Sequence, residues 1–216
     1  MITIEELDDT IRRLTGEHPE ARPFLCDGSP IGSEVFLVGI NPGTDTPFWP
    51  YWRLPSGCHK DEWIKEYLKR HGHFKTIRAR IERLFDSIRP VKCLETNVFC
   101  RYSPTAASLP KDVRDTRLFD YLCKALSPAV IFIYGDPGIR HLEQTLKRPL
   151  PKNQFTTAML NGAQIDIIAG PHLRCSAFTD PLRGWTNERI DAVGREIKRR
   201  CSVRQRNPAE ASKRPT

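Results

Sequence analysis

At 216 residues, with 39% hydrophobic and 28% charged residues, the chain is long enough for one well-cored domain. It has no Ser/Gly-rich linker to divide it and no apolar run long enough to span a bilayer. The formal charge of +8 invites a nucleic-acid reading, but the segment from Lys198 to Thr216 holds seven basic residues against Glu210 and so supplies +6, leaving +2 for the body. Seven cysteines, an odd count without a CxxC pair, argue against a disulfide framework and fit reduced, mostly buried thiols inside a cell.

Thr3 and Glu6 have the spacing of a capping box ahead of Ile4, Leu7, Ile11 and Leu14, which predicts an amphipathic helix rather than a signal sequence. After a polar, Pro-containing connection, Val35-Phe36-Leu37-Val38 reads as a strand buried on both faces that breaks into Gly39-Ile40-Asn41-Pro42-Gly43. Helical patterns follow at about residues 60 to 70 and 74 to 88, the second with Ile77, Ile81, Leu84 and Ile88 on one side. Lys69, Arg70, Lys75, Arg78, Arg80, Arg83 and Arg89 concentrate charge here, and the plainest reading of them is a solvated helix face. A strand is expected at Leu94 to Phe99, then a helix from Val113 to Leu126. Ala129 to Tyr134 is another all-apolar strand, halted at Gly135-Asp136-Pro137-Gly138 and followed by a helix through Leu142 and Leu146. A fourth strand spans Ile165 to Ala169 and closes with Gly170-Pro171-His172. The last helix runs from about Asn187 to Arg200.

Helices and strands alternate, and the apolar strands lie too far apart for hairpins. The fold class expected is therefore α/β, a three-layer sandwich around a central parallel sheet of about four strands. One domain would cover residues 1–201, with a basic, disordered tail over 202–216.

In such a sheet the carboxyl ends of the strands share one edge, and ligands gather there. That edge would present Asn41, Asn97, Gly135-Asp136 and His172, a polar pocket with no paired acids and no obvious nucleophile. Glycines 39 and 43 let backbone approach a ligand, Pro42 stiffens the turn, Asn can read a nucleobase edge or hold a water, and His can stabilise a developing anion. An ordinary strand-ending turn uses the same residue types, so the loop draws its meaning from its neighbours. Cys58-His59 and His71-Gly72-His73 match no closed zinc site, the glycine loops lack a P-loop Lys, and no G-x-S-x-G or G-x-G-x-x-G occurs, so no metal or cofactor is expected.

On these residues the chain resembles the uracil-DNA glycosylase superfamily. Gly39-Ile40-Asn41-Pro42-Gly43 is similar to the first motif of the mismatch-specific and thymine-DNA glycosylase branch, and close to the Gly-Met-Asn-Pro-Gly form of the single-strand-selective branch. Thr96-Asn97-Val98, Pro128 to Gly135, the His172 region and Gly184-Trp185 extend the likeness over about residues 34 to 197. The resemblance implies a monofunctional DNA N-glycosylase of base excision repair, removing uracil or a related deaminated or mismatched base after flipping it from the duplex. Asn41 would orient the attacking water and His172 would hold the departing base, while Asn97 would read its edge and Gly39, Ile40, Pro42 and Gly43 would shape its pocket. An aromatic platform is expected among Phe48, Trp49, Tyr51 and Trp52, of which Phe48 and Trp52 are the named candidates. Leu173, Arg174 and Phe178 are the candidates for the wedge and for phosphate contact. The implied partner is DNA containing uracil or a damaged base, bound by a monomer. The implied location is cytoplasmic and nucleoid-associated in a prokaryote, or nuclear in a eukaryote.

The family's second motif begins His-Pro-Ser, whereas this chain reads Pro171-His172-Leu173-Arg174-Cys175. That departure supports an alternative, a catalytically weak or inactive member serving as a nucleic-acid-binding or interaction module. A nucleotide-binding regulator of the doubly wound type is a third class. Asn in the first motif, in place of the acid of the classical branch, implies slow turnover because no carboxylate balances cationic sugar character.

Overall fold

A computed structural model describes residues 2–175 and 184–206. The first helix, α1 (Ile4–Thr15), starts at the expected capping box. The Glu6 amide donates to Thr3 Oγ1 at 3.2 Å and the Thr3 amide to Glu6 Oε2 at 2.9 Å, while Gly16 closes the helix in the left-handed region. Strands β1 (Phe24–Gly28), β2 (Val35–Gly39), β3 (Trp52–Arg53) and β4 (Gly57–His59) come next, followed by α2 (Lys60–His71) and α3 (Thr76–Ile88). Then follow β5 (Cys93–Asn97), α4 (Arg117–Leu126), β6 (Val130–Tyr134), α5 (Asp136–Leu146), β7 (Phe155–Leu160), β8 (Ala163–Gly170) and α6 (Asn187–Arg206).

The strands form one eight-stranded mixed sheet in the order β3-β4-β1-β5-β2-β6-β8-β7. At its centre β5, β2, β6 and β8 are mutually parallel, in a register that sets Gly39 beside Asn97 and Tyr134 beside Gly170. These four are the strands expected from sequence, three of them largely apolar and β5 carrying Glu95, Thr96 and Asn97. The other four correct the expectation of a sheet of about four strands without hairpins, because antiparallel strands extend it on both sides. β7 and β8 are a tight hairpin through Asn161-Gly162, with φ of 52° and 79°, the residue pair that two-residue hairpin turns favour. β1 escaped notice because its apolar part is only Phe24-Leu25-Cys26, and β3 and β4 are two and three residues long.

Alternation along the central strands divides the core into two layers. Phe36 and Val38 pack with Ile131 and Ile133 against apolar residues of α1, α2, α4 and α5. Val35 and Leu37 pack with Val130 and Phe132 against Ile81, Leu84, Phe85 and Ile88 of α3 and Ile190 and Ile197 of α6. Each such fully buried aliphatic side chain contributes about 1.5–3 kcal/mol. The final helix continues beyond Arg200 to Arg206, so residues 202–206 of the expected tail are helical here. Arg200 lies 3.3 Å from Asp166, and the Arg204 guanidinium donates to the Gln164 carbonyl at 2.7 Å, which ties this end of α6 to β8.

The basic residues of α3 also depart from a solvated face. Arg78 is buried, Arg80 donates to main-chain carbonyls, and Arg83 pairs with Asp191 of α6 at 2.6 Å. Six of the seven cysteines are buried and all are free thiols, with Cys175 half-buried.

Candidate functional site

A cavity of about 740 Å³ opens at the carboxyl ends of the parallel strands. It is lined by Gly39, Ile40, Asn41 and Gly43 after β2, Asn97 at the end of β5, Tyr134 at the end of β6, and His172 and Arg174 after β8. The first, second and fourth parallel strands thus bring Asn41, Asn97 and His172 to one cavity.

Asn41 is oriented by main chain. Its Nδ2 donates to the Pro42 carbonyl at 3.0 Å and the Ser103 carbonyl at 2.8 Å. Both amide protons are therefore engaged, which leaves Oδ1 to accept a proton from a water or a ligand. The Ser103 amide returns a bond to the Pro42 carbonyl at 3.1 Å, so the loop after β2 and the loop after β5 brace each other. Pro42 itself is buried beneath the loop and does not line the cavity.

Asn97 is buried, and its Nδ2 has no hydrogen-bond partner among the described residues. Its Oδ1 lies against Gly39, where a Cβ would come within 2.6 Å of that oxygen and 2.9 Å of the Tyr134 hydroxyl. Glycine at 39 is thus required by the close approach of Asn97.

His172 is half-buried, and its ring sits 6.0 Å from that of Tyr134 in an edge-on arrangement. The Arg174 amide donates to His172 Nδ1 at 3.1 Å. With Nδ1 accepting, a neutral imidazole carries its proton on Nε2, where it can be donated. Burial, and then the charge of Arg174, hold the His172 pKa below its usual value, so the ring is neutral at pH 7. Gly135, at φ 90°, makes room for it: a Cβ there would meet Ile40 Cδ1 at 2.7 Å and His172 Cδ2 at 3.3 Å.

The His172 loop is held from α3. Arg80 Nη1 donates to the carbonyls of Leu173 and, at 2.9 Å, Cys175, while Nη2 donates to the Trp185 carbonyl at 2.9 Å. Trp185 Nε1 donates to the Pro171 carbonyl at 3.0 Å. One guanidinium and one indole thus fix the segment in which the Ser of the expected motif is missing.

Three expectations are corrected. Phe48 is fully buried and Trp52 is 4% exposed. Both pack on Phe24, neither lines the cavity, and Trp52 Nε1 donates to Asp8 Oδ1 at 2.6 Å. They brace the core under the loop, which apolar rings do more favourably than face water. Leu173 is 1% exposed in the layer between the sheet and α3 and α6, so it is no exposed wedge. Arg174 is exposed at the rim, and Phe178 lies outside the described residues.

The cavity also has a charged floor that motif reading missed. Arg22, Arg78 and Glu95 line it, all buried, with Glu95 only 2% exposed. Arg78 Nη1 lies 2.6 Å from Glu95 Oε2, Arg22 Nη2 lies 3.3 Å from Glu95 Oε1, Arg78 Nη2 lies 2.8 Å from Glu82 Oε1, and Lys60 Nζ lies 2.9 Å from Glu82 Oε2. Burial pushes the Glu95 carboxyl up, but Arg78 and then Arg22 outweigh it and hold it below its usual value. The signal was present in the chain: Glu95 is a lone carboxylate in an otherwise strand-like, buried run. Lys75 and Arg174 add cations among the lining residues, and Tyr102 to Ala106 form a further stretch of wall that sequence reading had not assigned. Among the described residues no three His, Cys, Asp or Glu side chains converge as a metal would need.

Comparison of the chain with protein-family models and with curated proteins finds no match, so its site is read from its own chemistry.

Proposed function

We propose that this protein is a monofunctional DNA glycosylase with a uracil-DNA glycosylase-like sandwich, hydrolysing the N-glycosidic bond of uracil or a related deaminated base flipped out of DNA. The observation that carries the reading is the convergence of Asn41, Asn97 and His172, which are far apart in sequence, on one cavity at the carboxyl edge of the parallel strands. Their atoms suit the roles. Asn41 Oδ1, with its amide protons already engaged, accepts from a water and aims its oxygen at the sugar carbon. The water oxygen bonds to that carbon as the carbon–nitrogen bond breaks and its electron pair leaves on the base. His172 Nε2–H donates to a base oxygen that gains negative charge, and the proton lost by the water neutralises the departed base. The buried Asn97 Nδ2 is a donor waiting for a base acceptor. Flipping costs a few kcal/mol of unstacking, offset by these contacts.

The test is strand breakage by alkali after incubation with labelled oligonucleotides carrying uracil, hypoxanthine or mismatched thymine, single- and double-stranded. Breakage abolished in Asn41→Ala and sharply reduced in His172→Ala is expected. Intact oligonucleotide of every type, with salt-sensitive binding retained, overturns the enzyme reading in favour of a DNA-binding module. One observation favours that second reading: Leu173, one of the wedge candidates, is packed in the core.

A further inference from the structure

Two cysteines stand side by side where the short strands join the sheet. In the β1–β4 ladder Gly28 lies directly opposite Cys58, and Cys26, two residues before Gly28, falls on the same face. Cys26 Sγ donates to the Gly28 carbonyl at 3.3 Å, so it leans along its strand towards the residue that faces Cys58. The two thiols are within hydrogen-bonding reach of each other, and both are buried in the same core layer. Their environments differ. The hydrogen bond from Cys26 holds the Cys58 thiol below its ordinary pKa against the effect of burial, whereas burial, and then this same contact, pushes Cys26 up. Cys58 is thus the one fitted to react first, with Cys26 beside it to resolve the product. Their burial is shallow in energy, because β3 and β4 are two and three residues long, end the sheet, and flank the exposed Leu54; a segment with so few ladder bonds opens locally at little cost.

We propose that Cys26 and Cys58 form a reversible oxidation site, closed to a disulfide by hydrogen peroxide. The Cys58 thiolate attacks one peroxide oxygen, the O–O bond breaks, and the other oxygen leaves as water after taking up the proton that Cys58 gave, which makes Cys58 a sulfenic acid. The Cys26 sulfur then attacks the Cys58 sulfur, the S–O bond breaks, and the oxygen leaves as a second water with the Cys26 proton. Two thiols lose two electrons in all, and one peroxide gains them. The bond would close residues 26–58 into a loop that contains β2 and the Asn41 turn, and would tie down β4 where it runs into α2. Neither cysteine lines the cavity, so the site does not depend on the cavity being a base pocket.

The test exposes the full chain to a few equivalents of hydrogen peroxide, alkylates the remaining thiols, and maps the unreduced digest by mass spectrometry. A peptide linking Cys26 to Cys58 is expected, lost again on treatment with dithiothreitol. Because the link restricts the unfolded chain, the oxidised protein should show Tm raised by about 4–16 °C, returning to the parent value on reduction. Cys58→Ser should give neither the linked peptide nor the rise in Tm, and in Cys26→Ser the sulfenic acid at Cys58 should persist long enough for capture by dimedone. Circular dichroism checks that both variants are folded; if either is not, the peptide map and Tm of the parent chain decide alone. The half-buried Cys175 is the internal control. Oxidation of Cys175 while Cys26 and Cys58 still take up the alkylating agent would mean that exposure rather than pairing governs, and would overturn the proposal. So would a link that forms only in denatured protein, or one that leaves Tm unchanged or lowered.

Discussion

Replacing Glu95 by Gln tests the energetic weight of the buried network. The side chain is 2% exposed and lies 2.6 Å from one guanidinium and 3.3 Å from another, so the substitution keeps its volume but, among the described residues, leaves Arg22 without a carboxylate and Arg78 with Glu82 alone. Removing one partner of a buried ion pair costs about 3–5 kcal/mol, because the remaining charge has lost its water and gained nothing in return. For a chain of this size each kcal/mol lowers Tm by about 2–4 °C, so a fall of about 6–20 °C is expected. The pH dependence gives a second readout. The folded-state pKa of Glu95 lies below its ordinary value of 4.5, so the carboxylate contributes stability that is fully present above that value and is lost as pH falls through the folded pKa. Glu95→Gln should lack that acid-sensitive component and show a flatter stability profile below pH 4.5. Differential scanning calorimetry across acid and neutral buffers measures both. A variant within about 1 kcal/mol of the parent at neutral pH would refute the reasoning, since that is what a solvent-screened pair contributes.

Three further outcomes are expected. On the proposed glycosylase reading, in which His172 donates in its neutral form, the rate of base release should rise with pH through a value below the ordinary 6.5 of histidine and be level at neutrality, and Arg174→Gln should move that midpoint upward by removing the nearby cation; an unmoved midpoint excludes His172 as the titrating group. Arg80→Met should cost about 1.5–3 kcal/mol for each charged hydrogen bond lost to the His172 segment, and should lower kcat more than it raises KM; a change confined to Tm would make Arg80 a structural anchor only. Phe48→Ala should destabilise the fold by about 3–5 kcal/mol in denaturant titrations while leaving free-base affinity unchanged, and an affinity loss in stably folded protein would restore Phe48 as a stacking platform.

Local and periodic information was legible in the chain. The capping box at Thr3 and Glu6, the strands at Val35, Val130 and the Ala163–Gly170 segment, and the apolar faces of α1 and α3 all follow from residue types at short spacing, and the structure has them. The convergence of Asn41, Asn97 and His172 was also readable, because a parallel arrangement dictates that strand carboxyl ends share an edge. The hairpin at Asn161-Gly162 carried a readable signal that the apolar-run criterion passed over, since β7 is half exposed.

What only the tertiary structure decided is where long side chains end. Arg78, Arg80 and Arg83 lie within one helix and look alike in sequence, yet one reaches the cavity floor, one holds the carbonyls of a loop about 93 to 105 residues away, and one pairs across to α6. The same holds for Phe48, Trp52 and Leu173, whose nearness in sequence to the motif residues said nothing of their burial. The sequence by itself determined the parallel core and the three polar residues at its edge, because backbone periodicity and strand direction are local consequences of the chain. The charge beneath them, and which aromatic and basic groups face the cavity, depended on packing between elements far apart in sequence, where burial and pairing energies rather than spacing choose the partner.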